Sequence, residues 1–391
     1  MSELGLFAVL VVALAIGWWM GRRRGARPPS PITTSNDIPK DYFRGLNHLL
    51  KGQQSEAIDA FIESLDVSSE TFDIHLTLGT LFRKKGDIQK AISIHQNLLA
   101  RPDLPETDTR LVQLELAQDF MSAGLLDRAE RLLLAIAVRK SVYHKEILSL
   151  LIDLYEFEQS WDKAIKIAEQ LSREHPSAKL ARRLAHFYCE LADSSVAEER
   201  WVEAFQYFRN AVEHDEHCVR GSIGMADVYS QQKRHRDAIK VLKNVAEQDP
   251  EFVPVVIPAI ERAYQQVWSS SGYVKFLQEQ NQRHPSATTI GALAAIYAKT
   301  DKAKAEQFVI EQLKTHPTIK GFQELIKMQI EEARGAQQQL NVLYNLIQQL
   351  TESKHRYRCK QCGFAGHQLH WQCPSCKSWG SVKPIHGLEG E

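Results

Sequence analysis

The feature that most restricts what this chain can fold into is a recurrence. Between Phe72 and Pro102 come Leu78-Gly79, then Phe82, the turn Lys85-Gly86-Asp87, Ala91 and a closing Pro102. These marks return, with slips, from about residue 38 to about residue 350. Gly45 precedes Gly79 by 34 positions, and Ala57 precedes Ala91 by 34. The alanine then recurs at Ala129, Ala164, Ala204 and Ala238, in steps of 38, 35, 40 and 34. Partners twelve positions earlier are Ala117, Ile152 and Ala226, each followed three residues on by an aromatic: Phe120, Tyr155 and Tyr229. Prolines close units at Pro176, Pro250, Pro285 and Pro317. Six units are well kept; two or three more, near Tyr264–Pro285 and Leu293–Pro317, keep the proline and lose the alanine.

Read as helical hairpins, these offsets have a cause. The small pair sits where two antiparallel helices cross, and a larger side chain there would cost roughly 1–3 kcal/mol of overpacking. The aromatic lies one turn on along the same face and fills the gap. The proline cannot continue the second helix and turns the chain back. An ordinary helical bundle would be amphipathic without a fixed period. The pattern is that of tetratricopeptide repeats. It predicts an all-α solenoid over residues 38–350, its first helices lining a groove suited to a peptide, a helix or another protein. The step of 40 predicts an insertion that lengthens a turn around Ala192–Glu199.

Lys+Arg and Asp+Glu both total 48, so no net field steers the molecule toward nucleic acid or membrane. The chain shows no Gly-rich phosphate loop after a strand, no nucleophile elbow and no zinc-protease helix, so no catalytic residues and no enzyme activity are expected. His175, His284 and His316 each precede a proline at the end of a second helix, where the helix dipole favours histidine. Cys189 and Cys218 read as small core residues, and Lys233–Arg236 as a solvated turn.

Leu4–Met20 is apolar throughout, and 17 residues at ~1.5 Å each span about 25 Å, enough for a short membrane helix. A cleaved signal would carry its positive charge ahead of the apolar run. Here Glu3 precedes it and Arg22, Arg23, Arg24 and Arg27 follow. Residues 1–21 are therefore expected to be a single membrane anchor with everything after it on the cytoplasmic side, and Trp18 and Trp19 at an interfacial belt. Residues 22–37, with Pro28-Pro29-Ser30-Pro31, read as an extended linker.

Four of the six cysteines crowd into the last 33 residues, a metal site's distribution rather than a disulfide framework's. Cys359-Lys-Gln-Cys362 and Cys373-Pro-Ser-Cys376 enclose ten residues, so two knuckles can aim four thiolates at one ion. A redox pair needs only one such motif in a βαβ setting. Four thiolates complete a tetrahedral shell without His367 or His370. One zinc is expected in a module over 354–386, and iron fits the same ligands. Gly363 supplies turn freedom after the first knuckle, and Tyr357, Phe364, Trp371 and Trp379 are expected to cover the site. From Lys354 to Leu388 there are six Lys/Arg and no Asp or Glu. This basic stretch could dock an acidic protein surface, anionic lipid or RNA, or serve solubility alone.

The anchor with arginines behind it, the helical repeats, then Tyr357-x-Cys-x-x-Cys-Gly-Phe and Trp371-x-Cys-Pro-x-Cys together resemble the lipopolysaccharide assembly protein B family of Gram-negative bacteria. The resemblance covers the whole chain, and the tail is similar to a rubredoxin-type zinc ribbon, with Lys377 where rubredoxins usually carry glycine. It implies a non-enzymatic regulator of lipopolysaccharide synthesis at the inner membrane. Its implied partners are the FtsH-type membrane protease, the deacetylase that commits precursors to lipid A, and a membrane sensor protein. The implied role is an adaptor that promotes breakdown of the deacetylase. A scaffold for envelope enzymes, an electron carrier or an RNA-binding module are the other functions the sequence leaves open.

Overall fold

The computed structural model describes residues 18–19, 48, 72–138, 141–330 and 335–391. The expected anchor over 1–21, the linker over 22–37 and the repeat marked by Gly45 and Ala57 lie outside these, apart from Trp18 and Trp19, which are helical and exposed. Among the described residues no helix is long and apolar enough to cross a membrane.

The chain divides into two units, the first ending at Gly124. In the first, α1 (Phe72–Lys85) and α2 (Ile88–Leu99) form a hairpin followed by α3 (Glu106–Ser122). Leu78, Phe82 and Ala91 meet in its core as the repeat marks require. The small Gly79 has a different reason from the one expected. A Cβ on it would lie 2.3 Å from Nε2 of the buried His95, so the glycine makes room for an imidazole rather than for the α2 backbone. His95 Nδ1 lies 2.5 Å from Asp119 Oδ2, and Arg83 Nη1 donates to Asp119 Oδ1 at 2.8 Å. A buried carboxylate is tolerated because both its oxygens are engaged.

The second unit stacks α4 (Leu126–Ala137), α5 (His144–Phe157), α6 (Trp161–Glu174), α7 (Ala178–Ala197), α8 (Trp201–His214), α9 (Val219–Gln231) and α10 (His235–Gln248). A 3₁₀ turn at Pro250–Phe252 leads into α11 (Val253–Gln266), α12 (Ser270–Arg283), α13 (Ala287–Ala298), α14 (Lys302–Thr315), α15 (Ile319–Ile330) and α16 (Gln337–Ser353). Ala129, Ala164, Ala204 and Ala238 are all fully buried, as small residues at helix crossings must be. His175, His284 and His316 cap α6, α12 and α14, their backbone N–H groups donating to Leu171, Gln280 and Gln312.

Five of the hairpin turns are made one way, whereas the turn between α13 and α14 has no left-handed residue. A residue in the left-handed region follows the first helix, and the next N–H reaches back five residues. Gly86 fills that position in the first unit; Gln159, Glu199, Lys233 and Trp268 fill it in the second. Asp87, Ser160, Arg234 and Ser269 then donate to the carbonyls of Phe82, Tyr155, Tyr229 and Tyr264. This is a Schellman closure, and it ties the repeat's aromatic to its turn. The insertion does not lengthen a turn. It extends α7 to 20 residues, so that Ala192–Ala197 are helical and the turn is confined to Glu198–Arg200. The small and polar residues there are tolerated in a helix because Ala192 and Ser195 are buried against neighbours.

After α16 the chain forms three short strands, β1 (Tyr357–Cys359), β2 (Ala365–Gly366) and β3 (Val382–Pro384), in the order β2-β1-β3. Both pairings are antiparallel, with Tyr357 opposite Gly366 on one side and Pro384 on the other.

Candidate metal centre and its seat on the solenoid

β1 ends at Cys359, and the turn after it returns through Gly363, whose φ is +79°. The second knuckle repeats the construction with Lys377, at φ +57°. In each, a backbone N–H closes the turn: Gly363 donates to Cys359 O at 3.0 Å and Lys377 to Cys373 O at 2.9 Å. The knuckles bring the Sγ atoms of Cys359, Cys362, Cys373 and Cys376 within 4.8 Å of one another. Cys359 and Cys376 are 3.7 Å apart, Cys362 and Cys373 3.6 Å. Sulfurs about 2.3 Å from a tetrahedral ion lie about 3.8 Å from each other, so the donor set fits a divalent ion without rearrangement. His367 and His370 are not among the converging groups; they pack as rings against His355 and Phe364.

The surroundings act in opposite directions on the thiols. Burial raises the Cys359 thiol, but Ser381 Oγ–H and the backbone N–H groups of Cys362 and Gln361 outweigh it and hold the group down to about 6. Burial pushes Cys373 up to about 11, the one thiol for which an ion would do most. With an ion bound, the four sulfurs would supply a closed shell with no open position, which is structural rather than catalytic chemistry.

Of the four aromatics expected to cover this site, Tyr357 and Phe364 do so, packing with Leu369 on Cys359, Cys373 and Val382. Trp371 and Trp379 face the other way. Trp379 stacks on His186 of α7 with ring centroids 5.0 Å apart and meets Phe187 and Trp161 edge-on, while Trp371 stacks on Phe252 at 5.8 Å. A ribbon this small has too little interior for two indoles, so it buries Trp379 and half-buries Trp371 against a neighbour. The indole Nε1–H of Trp379 donates to Glu156 Oε1 at 3.0 Å, as does Gln372 Nε2 at 2.7 Å.

The basic stretch is partly spent at the same seat. Lys383 bridges Asp249 at 2.8 Å and Glu251 at 3.4 Å, Lys360 reaches Glu251 at 3.0 Å, and Lys354 reaches Glu389 at 2.7 Å. Burial raises the Glu251 carboxyl, but Lys360 and Lys383 prevail and hold it below the usual carboxylate range. Three of the six cations counted in the sequence are thus paired within the chain, which corrects the reading of a free basic patch. The tail beyond β3 continues the attachment: Leu388 O accepts from Ile319 N at 3.0 Å, and the Glu391 carboxylate takes Thr288 N–H at 3.0 Å and Thr288 Oγ1–H at 2.6 Å.

Comparison with known proteins follows this division of the chain. Residues 357–384 match the model of a rubredoxin metal binding domain, and residues 195–256 that of a tetratricopeptide repeat. Lipopolysaccharide assembly protein B of Escherichia coli K12 is 35% identical over 388 residues, covering 98% of this chain and 99% of that protein. The chain belongs to the lipopolysaccharide assembly protein B family. The Haemophilus influenzae member is 31% identical over 395 residues, with 98% of each chain covered. The metal centre of this chain has a defined seat on the solenoid. Glu156, His186, Asp249, Glu251 and Phe252 carry no motif, and sequence reasoning missed them. The available signal was an excess: two tryptophans in a ribbon that can bury only the smaller aromatics.

Proposed function

We propose that the protein is a non-catalytic adaptor in lipopolysaccharide synthesis, held at the inner membrane by residues 1–21 with solenoid and ribbon on the cytoplasmic side. Its proposed partners are an FtsH-type protease and the deacetylase committing precursors to lipid A, which the adaptor presents for breakdown; the membrane sensor protein would act on this step. Family membership supports the pathway. The observation that carries the adaptor reading is the seat of the ribbon: Trp379 and Gln372 donate to Glu156 on a first helix, so ribbon and solenoid offer one continuous surface. Four cysteines make a closed shell that serves folding rather than turnover. Confinement to the membrane raises the effective concentration of membrane partners without any new contact.

The test is a chase of the deacetylase after its synthesis is blocked, with and without this protein. A clearly longer half-life on depletion is expected; an unchanged half-life would leave a scaffold for envelope enzymes as the better account. We assign zinc to the four cysteines. The purified protein should hold about one zinc and be colourless, and iron with a visible charge-transfer band would overturn the assignment and favour electron transfer.

A further inference from the structure

The turns that join each first helix to its second lie side by side in the second unit. Val196 and Trp201 at the α7–α8 turn, Ser230 and His235 at the α9–α10 turn, and Gln265 and Gln266 at the α11–α12 turn line one cleft. Val267 and Tyr297, at the α11–α12 and α13–α14 turns, pack on one apolar core. The joints at the other helix ends also meet: His217 and Glu216, between α8 and α9, bond to Gln248 at the end of α10. The antiparallel hairpins thus give the stack two edges.

On the first edge, the α11–α12 turn departs from its neighbours. Its left-handed position, filled by Gln159, Glu199 and Lys233 in earlier turns, is Trp268, at φ +54° with 94% of its surface exposed. A bulky residue held there against its backbone preference, and packed on nothing, points to a role outside the chain. Ser269, Ser270 and Ser271 follow it, and residues 262–278 contain no Asp or Glu. The turns on either side are basic. Lys233, Arg234 and Arg236 outnumber Asp237, which Arg234 holds at 2.8 Å. Lys299, Lys302 and Lys304 outnumber Asp301, whose carboxylate caps α14 by accepting from Lys304 N–H at 3.1 Å. All six cations are exposed. In the cleft behind these turns Arg220 holds Asp193 and Arg262 acts on Asp227, so the cleft adds no opposing field. The edge changes sign at the α7–α8 turn, where Arg200 stands among Glu198, Glu199 and Glu203, and the basic stretch ends there.

We propose that this edge, from the α9–α10 turn to the α13–α14 turn, rests on an anionic lipid surface, with Trp268 in the headgroup layer and the flanking lysines and arginines facing lipid phosphates. An indole, apolar in body with one N–H, is at home at that depth. Clustered cations beside it are drawn to anionic headgroups. A protein partner would bury such an anchor within a ring of further close contacts that exclude water, which a row of exposed serines does not supply. The proposal rests on residues 1–21 holding the chain at a membrane, and adds a second contact that fixes which edge of the second unit faces the bilayer.

The test reconstitutes the full-length protein into vesicles of phosphatidylcholine with one-third phosphatidylglycerol. Benzoylphenylalanine replaces either Ser270, exposed beside the indole, or Glu216, exposed on the opposite edge. After irradiation a lipid adduct is expected at position 270, and at least fivefold less at position 216. The adduct at 270 should fall at least fivefold in phosphatidylcholine alone, in the combined Lys233→Glu, Arg236→Glu and Lys299→Glu variant, and in Trp268→Gly. Because Trp268→Gly relieves a strained backbone, its thermal melt should be no lower than the parent's, which separates a lost surface from a lost fold. Equal adducts at the two positions, or an adduct at 270 indifferent to phosphatidylglycerol, to the charge reversals or to Trp268→Gly, would each overturn the proposal. So would a discrete protein adduct in place of a lipid one on irradiation in cells, which would assign the edge to an acidic protein partner. An alkaline wash of the vesicles reports on the anchor separately. Protein retained without an adduct at 270 removes the edge contact and keeps the anchor; a charge-dependent adduct on protein that washes out keeps the contact and removes the anchor.

Discussion

At the scale of single residues, the contact between Trp379 and His186 lies at the centre of the ribbon's attachment to α7. Trp379 is 6% exposed and meets three rings of the solenoid besides donating to Glu156. Replacing it with alanine should cost about 3–5 kcal/mol, read as a lower denaturation midpoint. His186 makes the same contact sensitive to acid. Burial, with Arg220 and Arg182 nearby, lowers its pKa from the ordinary 6.5 to about 3, so the folded protein keeps it neutral. Above about pH 6.5 neither state binds the proton and the residue leaves stability unchanged. As pH falls from 6.5 toward 3 the unfolded chain takes up the proton and the folded one does not, so stability is lost across that window. At pH 5 the loss amounts to about 2 kcal/mol. His186→Gln should therefore lose less stability than the parent between pH 7 and pH 5 in urea titrations; equal losses would contradict the assignment. None of this was legible in the sequence. A histidine inside a helix carries no mark of the indole that will cover it from about 190 residues away.

At the scale of elements, the hairpins were legible because their marks are packing requirements: the alanines are buried, and Phe82, Tyr155, Tyr229 and Tyr264 accept the closing bonds of their turns, while the turn after α7 closes onto Ser195. The exceptions are informative. Gly79 obeys the repeat, but for the sake of His95, a local need no period reveals. The extra residues of the 40-residue alanine step, from Ala164 to Ala204, entered α7 rather than a turn, because Ala and Ser are as much at home in a buried helical stretch as in a loop. The turn itself yields a prediction. Trp268 holds a left-handed backbone at φ +54° with 94% of its surface exposed, so it packs on nothing that would justify the strain. Strain of about 1–2 kcal/mol outweighs the smaller entropic penalty of glycine in the unfolded chain. Trp268→Gly should raise stability by about 0.5–1 kcal/mol, seen as a higher melting temperature. Lys377 holds a similar conformation in the second knuckle, the position where the sequence departs from the rubredoxin pattern.

At the scale of the molecule, the four cysteines were readable from spacing, because the knuckle is a local motif; the seat of the ribbon was not, because it joins residues more than 200 positions apart. The consequence is that the metal centre governs more than its own module. A ribbon of three short strands has little core, so losing the ion should unfold it and withdraw Trp371 and Trp379 from α7 and Phe252 together. Cys373→Ser should act the same way, abolishing metal retention and lowering the stability of the second unit rather than of residues 357–384 alone. Surface pairs such as Lys360 with Glu251 are worth only about 0–1 kcal/mol and would not hold the ribbon in place without the two packed indoles. The most direct measurement is amide hydrogen exchange of the full-length protein before and after a chelator removes the metal. If ribbon and solenoid are one metal-dependent surface, exchange should rise in residues 357–384 and also in α7 around Arg182–Cys189 and in the segment Asp249–Phe252. A rise confined to residues 357–384, with α7 and the 3₁₀ turn unchanged, would contradict it.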